Sequence, residues 1–333
     1  MKKIFILLLS IFLLTGCTIL ENDSMDNIEV YTTTYPTSNL INYLYKDHAT
    51  INSIYPNGVN FKEYKVSDKK LSEFAKSDLF IFNSQDIERD YAVKMINDNK
   101  NIKLIDTAYG MNYTYGIEEL WLNPYNYLMM AKNVKNSLAE YINNPYLNEE
   151  INNNYENLKY ELSKLDATYQ ETLKDTKYKT IVASKDFFKY LEKYNIEVIS
   201  LEEDIKTITI KENDTLSDIS TKYNISISDI LTYNNKRNET ITVGETLKLP
   251  IKTIDNMDLT KVKKLIEDEE IKYIYTDSEE TNKTIKNLVE KNKLEYITVN
   301  TMYSIDGGVT NNNENYLTVM SENLELLKKE LMK

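Results

Sequence analysis

The stretch KTIVASKDFFKYLEKYNIEVISL, residues 179–201, decides the fold. It reads as an apolar strand, a helical segment and a second apolar strand. The same alternation occurs earlier, where DLFIFN and NIKLID flank a helical stretch near residues 88–96, and later, in residues 257–306. Strands that alternate with helices are typical of a parallel sheet with helices on its faces. The sequence therefore predicts an α/β fold.

A long amphipathic segment divides this alternation. Strand signals nearly vanish between residues 125 and 173. Apolar side chains recur there at three- and four-residue steps, namely at Ile151, Tyr155, Leu158, Leu162, Leu165, Tyr169 and Leu173. Such a stripe indicates one long helix that packs along one face. We expect two parallel-sheet lobes joined by this backbone helix, with any ligand site in the cleft between them.

The first seventeen residues, MKKIFILLLSIFLLTGC, have the pattern of an export signal. Two lysines precede an apolar run from Ile4 to Leu14, which is shorter than the roughly 20 residues of a membrane-spanning helix. The end of the run, LTGC, resembles a lipobox. That resemblance implies cleavage before Cys17, the single cysteine of the chain, and a lipid on its sulfur. The predicted location is the outer face of the cell membrane, within the cell envelope.

Charge and composition exclude several classes of function. The net charge is −12, and loss of Lys2 and Lys3 with residues 1–16 makes it −14, which argues against nucleic acid as a partner. The chain has one cysteine and one histidine. The lipid expected on Cys17 excludes a Cys–His site, and a Ser-His-Asp triad would need His48. We interpret His48 as a surface residue at a helix-to-strand turn. No phosphate-binding glycine loop is present, so the chain is not expected to be an enzyme.

Residues 207–250 interrupt the α/β alternation. TITIKENDTLSDISTKYNISISDILTYNNKRNETITVGETLKLP reads as strand, helix, helix, strand. Its NDTL and VGETLKLP segments resemble those of the LysM module, which binds N-acetylglucosamine glycans such as peptidoglycan. Asn213 replaces the usual glycine, and asparagine tolerates a positive φ. The resemblance implies a glycan groove formed by two loops, with Asp214, Thr215, Leu216, Ser217, Asn238, Glu239, Thr240 and Ile241. A LysM fold without glycan binding is the alternative.

The rest of the chain resembles the zinc/manganese solute-binding lipoproteins of ABC importers. Seven motifs carry the resemblance in order along the chain. They are VYTTTYP (30–36), NGVNFKEYKVS (57–67), SDLFIFNS (77–84), EELWLNP (118–124), IVASKDFFKYLEKYNIE (181–197), IYTDS (274–278) and NYLTVMSENLELLKKEL (315–331). The resemblance implies a two-lobed solute-binding protein and an ABC permease as a possible partner.

The family's four metal-ligand positions fall on Lys62, Glu119, Lys185 and Tyr303. Zinc prefers imidazole, thiolate or carboxylate ligands, and manganese prefers oxygen ligands. A lysine with a pKa near 10.4 must lose its proton to bind a metal, which costs about 4–5 kcal/mol at pH 7. We therefore expect neither zinc nor manganese as a cofactor, and we interpret the site as degenerate.

Three interpretations of these positions remain open. Glu119 and Lys185, assigned to opposite lobes, could form an ion pair that closes the cleft, and Lys62 is the other candidate partner of Glu119. A spare lysine could instead bind a small anion or a carboxylate. The site could also have decayed without a ligand. The nearest spare carboxylates are Asp277 and Asp306.

The sequence thus predicts an α/β protein whose two lobes are joined by a backbone helix, with a small β-α-α-β insert in the C-terminal lobe. The expected segments are a signal peptide (1–16), a tether (17–27), an N-terminal lobe (28–127), a helical region (128–176), a C-terminal lobe (177–206 and 251–333) and the insert (207–250). The expected role is a lipid-anchored, glycan-binding relative of the metal importers. The alternative is a working receptor for a metal or another small solute of an ABC transporter.

Overall fold

The computed structural model describes residues 25–56, 58–59, 61, 64–84, 87–278, 281–302 and 315–333. The chain divides into two compact units. The first comprises the described parts of Met1–Asn112, Leu120–Asp166 and Met302–Thr318, and the second comprises Tyr113–Glu119, Ala167–Thr301 and Val319–Lys333. Within the described ranges, no helix combines the length and the apolar character needed to cross a membrane.

The first unit is built on a four-stranded parallel sheet with the strand order β2-β1-β3-β4. Its strands are β1 (Ile28–Thr32), β2 (Ala49–Ser53), β3 (Leu79–Phe82) and β4 (Lys103–Asp106). The helices along this part of the chain are α1 (Tyr35–Tyr45), α2 (Asp68–Phe74), α3 (Glu88–Asp98), α4 (Glu119–Leu122), α5 (Pro124–Tyr141) and α6 (Pro145–Lys174). α4 and α6 contribute to both units, because the division falls after Glu119 and after Asp166.

The start of α1 differs from the sequence expectation. TSNLINYLYK, residues 37–46, predicts a helix capped by its first residues, whereas α1 begins at Tyr35 with Thr34 as the N-cap. Pro36 fits the first turn, because an N–H group there has no partner within the helix. The hydroxyl of Thr37 lies 3.1 Å from that of Thr34, so it supports the turn from inside the helix.

The long amphipathic helix is confirmed as α6, a helix of 30 residues. All seven of its predicted stripe residues are buried. The preceding region forms a separate helix, α5, and the chain turns between Tyr141 and Pro145. The Asn144 side-chain oxygen accepts a hydrogen bond from the Tyr146 backbone N–H at 3.0 Å, which is the usual way that asparagine opens a helix.

The second unit contains another four-stranded parallel sheet, with the strand order β10-β9-β5-β6. Two parallel sheets confirm the predicted α/β class. The elements in chain order are β5 (Thr180–Ala183), a 3-10 helix (Asp186–Tyr194), β6 (Glu197–Ser200), β7 (Asp204–Thr209), α7 (Leu216–Tyr223), α8 (Ile227–Tyr233), β8 (Thr246–Lys252), α9 (Asn256–Glu267), β9 (Tyr273–Thr276), α10 (Lys283–Asn292), β10 (Glu295–Thr298) and α11 (Tyr316–Leu331). α11 begins in the first unit and continues in the second.

The segment from β7 to β8 forms a small β-α-α-β subdomain inside the second unit. Its two strands pair antiparallel, from Asp204 opposite Lys252 to Thr209 opposite Thr246. This subdomain has a core of its own, made of Ile210, Leu216, Ile219, Ile225, Ile230, Leu247 and Leu249. Asn213 adopts a φ of 70°, so the turn tolerates asparagine as expected. The paired strands extend beyond the expected bounds of 207–250, and from here on the insert denotes the residues from Asp204 to Lys252.

Candidate functional site

The structure describes two of the four residues expected, from the resemblance, at the family's metal-ligand positions. Lys62 and Tyr303 lie outside the described residues, as do Cys17 and Asp306. Glu119 and Lys185 are described, and both belong to the second unit. The sequence places Glu119 in the N-terminal lobe, whereas the segment Tyr113–Glu119 groups with the second unit.

Glu119 organises the loop that precedes it. Its Oε1 atom accepts hydrogen bonds from the backbone N–H groups of Thr114 at 3.1 Å, Gly116 at 3.2 Å and Tyr115. Hydrogen bonds to a carboxylate are stronger than those between neutral groups. The Glu119 side chain therefore holds the backbone of residues 114–116 in place.

Close packing places the same loop on the 3-10 helix of the second unit. A Cβ atom on Gly116 would lie 3.2 Å from the Phe187 Cβ atom and 2.6 Å from a carboxylate oxygen of Glu118. The Lys189 ammonium lies 5.2 Å from the ring centre of Tyr115, within the range of a cation–π contact. Gly116 thus lies in tight contact with Phe187, and this contact agrees with the grouping of the loop in the second unit.

Lys185 pairs with a carboxylate that sequence reasoning did not consider. It directly precedes the 3-10 helix, and its Nζ atom lies 3.8 Å from Glu202 Oε1. The expected Glu119–Lys185 ion pair is not formed among the described residues. Glu202 lies just beyond the end of β6, which pairs with β5, so the neighbouring strand end supplies the nearer carboxylate. The alternative pair, between Glu119 and Lys62, stays a prediction.

A charged cluster surrounds Lys185 at the ends of β5 and β6. The Lys252 Nζ atom donates to Asp186 Oδ2 and, at 2.7 Å, to Glu202 Oε2. The Lys189 Nζ atom lies 3.9 Å from Asp186 Oδ1. Three ammonium groups therefore face two carboxylates. We call Lys185, Asp186, Lys189, Glu202 and Lys252 the strand-end cluster.

Protonation in this cluster is set by opposite charges. Burial alone would raise the pKa of Asp186, but hydrogen bonds from Lys252 and Ser200 outweigh it and lower that pKa. Burial would likewise lower the pKa of Lys252, but its bonds to Asp186 and Glu202 outweigh it and raise that pKa. Both groups are thus held in their charged forms at neutral pH.

The described residues do not fit a transition metal. No group of three or more histidine, cysteine, aspartate or glutamate side chains among them is placed to hold a metal ion. The Asp277 Oδ1 atom, just after β9, is buried and has no hydrogen-bond partner in the described part of the chain. Two ammonium groups already neutralise Glu202, and a single further carboxylate does not make a zinc or manganese site.

Most of the predicted glycan-loop residues stabilise the insert itself, through core packing or local hydrogen bonds. Leu216 belongs to the insert core and Ile241 packs against it. Asp214 accepts a hydrogen bond from the Lys211 N–H at 2.7 Å, and Thr215 caps α7. The Asn238 side chain accepts from the backbone N–H two residues later, at 3.1 Å. The remaining three, Ser217, Glu239 and Thr240, are exposed.

His48 lies in a 3-10 turn, Lys46–His48, directly before β2, as the sequence predicted. Its Nδ1 atom lies 2.8 Å from Asp26 Oδ1, and its Nε2 atom lies 3.1 Å from Glu150 Oε2. The hydrogen bond to Asp26, with a further contribution from Glu150, raises the pKa of His48. A serine nucleophile is not among these contacts, so the histidine links segments within the first unit rather than serving a catalytic triad.

Comparison with solved structures identifies the fold. The Zn(II)-bound ZnuA-like domain of Streptococcus pneumoniae AdcA aligns with a TM-score of 0.65 at 18% identity, covering 92% of this chain and 100% of that one. The metal-dependent lipoprotein YcdH of Bacillus subtilis aligns with a TM-score of 0.65 at 17% identity, with the same coverage. At these identities the likeness establishes the fold alone.

Sequence relatives and a family model extend the comparison. The zinc-binding lipoprotein AdcA of Streptococcus pneumoniae is 25% identical over 57% of this chain and 42% of its own length. The high-affinity zinc uptake system protein ZnuA of Bacillus subtilis is 24% identical over 50% of this chain and 58% of its own length. The match therefore spans only about half of each relative. A family model matches residues 30–254, which is well over half of the chain, and its description is "ZnuA: Zinc-uptake complex component A periplasmic". This protein therefore belongs to that family.

Proposed function

We propose that this protein is a lipid-anchored, extracytoplasmic solute-binding-type protein that has lost metal binding and that holds cell-wall glycan through its insert. Its family comprises solute-binding components of metal importers, not enzymes. The observation that carries the loss of metal binding is the environment of Lys185. An ammonium group stands at a ligand position and is itself paired with a carboxylate, at 3.8 Å from Glu202.

The order of strands and helices in the insert supports the glycan part of the proposal. A folded β-α-α-β unit with its own apolar core is the arrangement that the LysM resemblance implies. Two exposed residues would line the groove, namely Ser217 in the first turn of α7 and Thr240 in the loop before β8. The insert carries equal numbers of acidic and basic residues, while the whole chain has a net charge of −12, so an anionic cell wall repels the insert less than it repels the chain as a whole.

The lipid anchor rests on the sequence around Cys17, LTGC. Export to the outer face of the membrane would place the insert within reach of peptidoglycan. Replacement of Cys17 by alanine is expected to release the protein from membranes or to block its processing. Normal cleavage with unchanged membrane retention would contradict the anchor.

Co-sedimentation with purified peptidoglycan tests the glycan part. Chain 25–333 should be retained, and the double variant Ser217→Arg/Thr240→Arg should lose retention at least tenfold, because two long cationic side chains would fill the groove. Ser228→Arg, at an exposed position of α8, is the matched control and should behave like the parent. Equal retention of all three proteins, or none for the folded parent, would contradict glycan binding through these loops.

The second candidate function is a receptor for a metal or another small solute of an ABC importer, with a permease as partner. Family membership favours it, and the buried Asp277 carboxylate oxygen is the described feature most compatible with a cationic ligand. Isothermal titration with zinc and manganese separates a metal receptor from the proposed loss of metal binding. Saturable one-to-one binding favours the receptor, and no heat beyond dilution favours the proposed loss.

A further inference from the structure

The insert joins the second unit through two short stems. β6 ends at Ser200 and β7 begins at Asp204, whereas β8 ends at Lys252 and α9 begins at Asn256. Leu201, in the first stem, is fully buried in the core beside the sheet, and Ile254, in the second, packs against the same core. Both stems are therefore held against the body of the unit.

A single ammonium group closes the base of the insert. Lys252 is the last residue of β8, and its Nζ atom bonds to Glu202 in the other stem at 2.7 Å. The same atom bonds to Asp186, the first residue of the 3-10 helix after β5. Lys252 thus connects the insert to a segment that lies 66 residues earlier in the chain.

That segment carries the family's third metal-ligand position. Lys185 directly precedes Asp186, and the Asp186 backbone N–H donates to Glu202 Oε2 at 3.2 Å. The two carboxylate oxygens of Glu202 contact different lysines. Oε1 lies 3.8 Å from Lys185 Nζ, and Oε2 accepts a hydrogen bond from Lys252 Nζ. Movement of Lys252 would therefore shift the Glu202 carboxylate relative to both the Lys185 ammonium and the Asp186 backbone N–H.

We infer that Lys252, a residue supplied by the insert, is a positioning residue for Lys185. Its ammonium draws Asp186 and Glu202 together as a bound cation would, fixes the backbone at residues 185–186, and transmits displacement of the insert to the candidate solute position. The inference rests on the second candidate function only in treating Lys185 as part of a solute position.

Hydrogen exchange of chain 25–333 tests this without any glycan or solute, so failure here leaves the proposed function untouched. Lys252→Met should speed exchange of the Asp186 amide about tenfold, because Glu202, which accepts the hydrogen bond of that amide, is then no longer held in place by Lys252. Amides in the insert core, such as that of Ile230, should be unchanged. Lys252→Arg should restore slow exchange at Asp186, since guanidinium also binds two carboxylates.

Lys261→Met is the matched control, because Lys261 pairs with Glu197 in the same unit, away from the cluster. It should leave the Asp186 amide unchanged. If Lys252→Met does not fold, Glu202→Gln takes its place and must itself speed exchange at Asp186. Unchanged exchange at Asp186 in the folded variant, equal effects of Lys252→Met and Lys261→Met, or no rescue by Lys252→Arg would overturn the inference.

Discussion

Replacement of Glu119 by alanine tests whether this residue stabilises the loop before it or binds a metal. The change removes the acceptor of three backbone N–H groups, at Thr114, Tyr115 and Gly116. A hydrogen bond to a charged group contributes about 1.5–3 kcal/mol, but water can replace the carboxylate in this largely exposed loop. We therefore expect a total loss of about 1–3 kcal/mol in the free energy of unfolding, which corresponds to roughly 2–4 °C in Tm for each kcal/mol.

Urea denaturation measures that loss, and hydrogen exchange locates it at residues 114–116. Glu119→Gln keeps an acceptor oxygen without the charge, so it should lose less than half as much. Glu290→Ala, at an exposed position of α10, is the control and should change the free energy of unfolding by less than about 0.5 kcal/mol. The reasoning fails if Glu119→Ala matches that control, or if its effect disappears when a chelator is added, because the second result would make Glu119 a metal ligand.

Three further predictions concern stability. Gly116→Ala should lower Tm and loosen the preceding loop, because its Cβ atom would lie 3.2 Å from Phe187 Cβ and would displace the buried Glu118 carboxylate; an unchanged Tm would contradict the close packing. His48→Gln should remove a stabilisation that the parent shows below about pH 6.5 and loses as the pH rises through the raised pKa of His48; parallel Tm–pH curves for the two proteins would refute this. Asn234→Ala should destabilise the insert by about 1–3 kcal/mol, because the Asn234 amide bonds to both the C=O and the N–H of Lys248, at 2.7 and 2.8 Å; insert exchange rates equal to the parent's would show that these bonds are dispensable.

The sequence predicts the sheets and the long helix because local periodicity determines them. The buried run of β3, the short apolar pair in β4 and the stripe of α6 can each be read from one continuous stretch of sequence. The positive φ at Asn213 could also be expected, because asparagine tolerates that conformation. The break before Pro145 carried a local signal as well, since an asparagine followed by proline is typical of a helix start.

Side-chain partners in the candidate site could not be predicted in the same way. The expected pairing of Glu119 with Lys185 followed from family positions, but the position of Glu202 depends on how β6 pairs with β5. Lys252 joins the cluster only because the insert returns to its starting point, and no window of sequence contains both Lys252 and Asp186. Contacts of this kind depend on tertiary structure, which single-sequence periodicity does not report.

Metal content tests the central claim most directly. Chain 25–333, purified without chelators and dialysed against metal-free buffer, is analysed for zinc and manganese by mass spectrometry, and its Tm is then measured with either metal in excess. The account predicts far less than one metal ion per chain and no rise in Tm, since a ligand stabilises a protein only by binding its native state. About one zinc or manganese ion per chain that survives dialysis, together with a rise in Tm on addition of that metal, would contradict it.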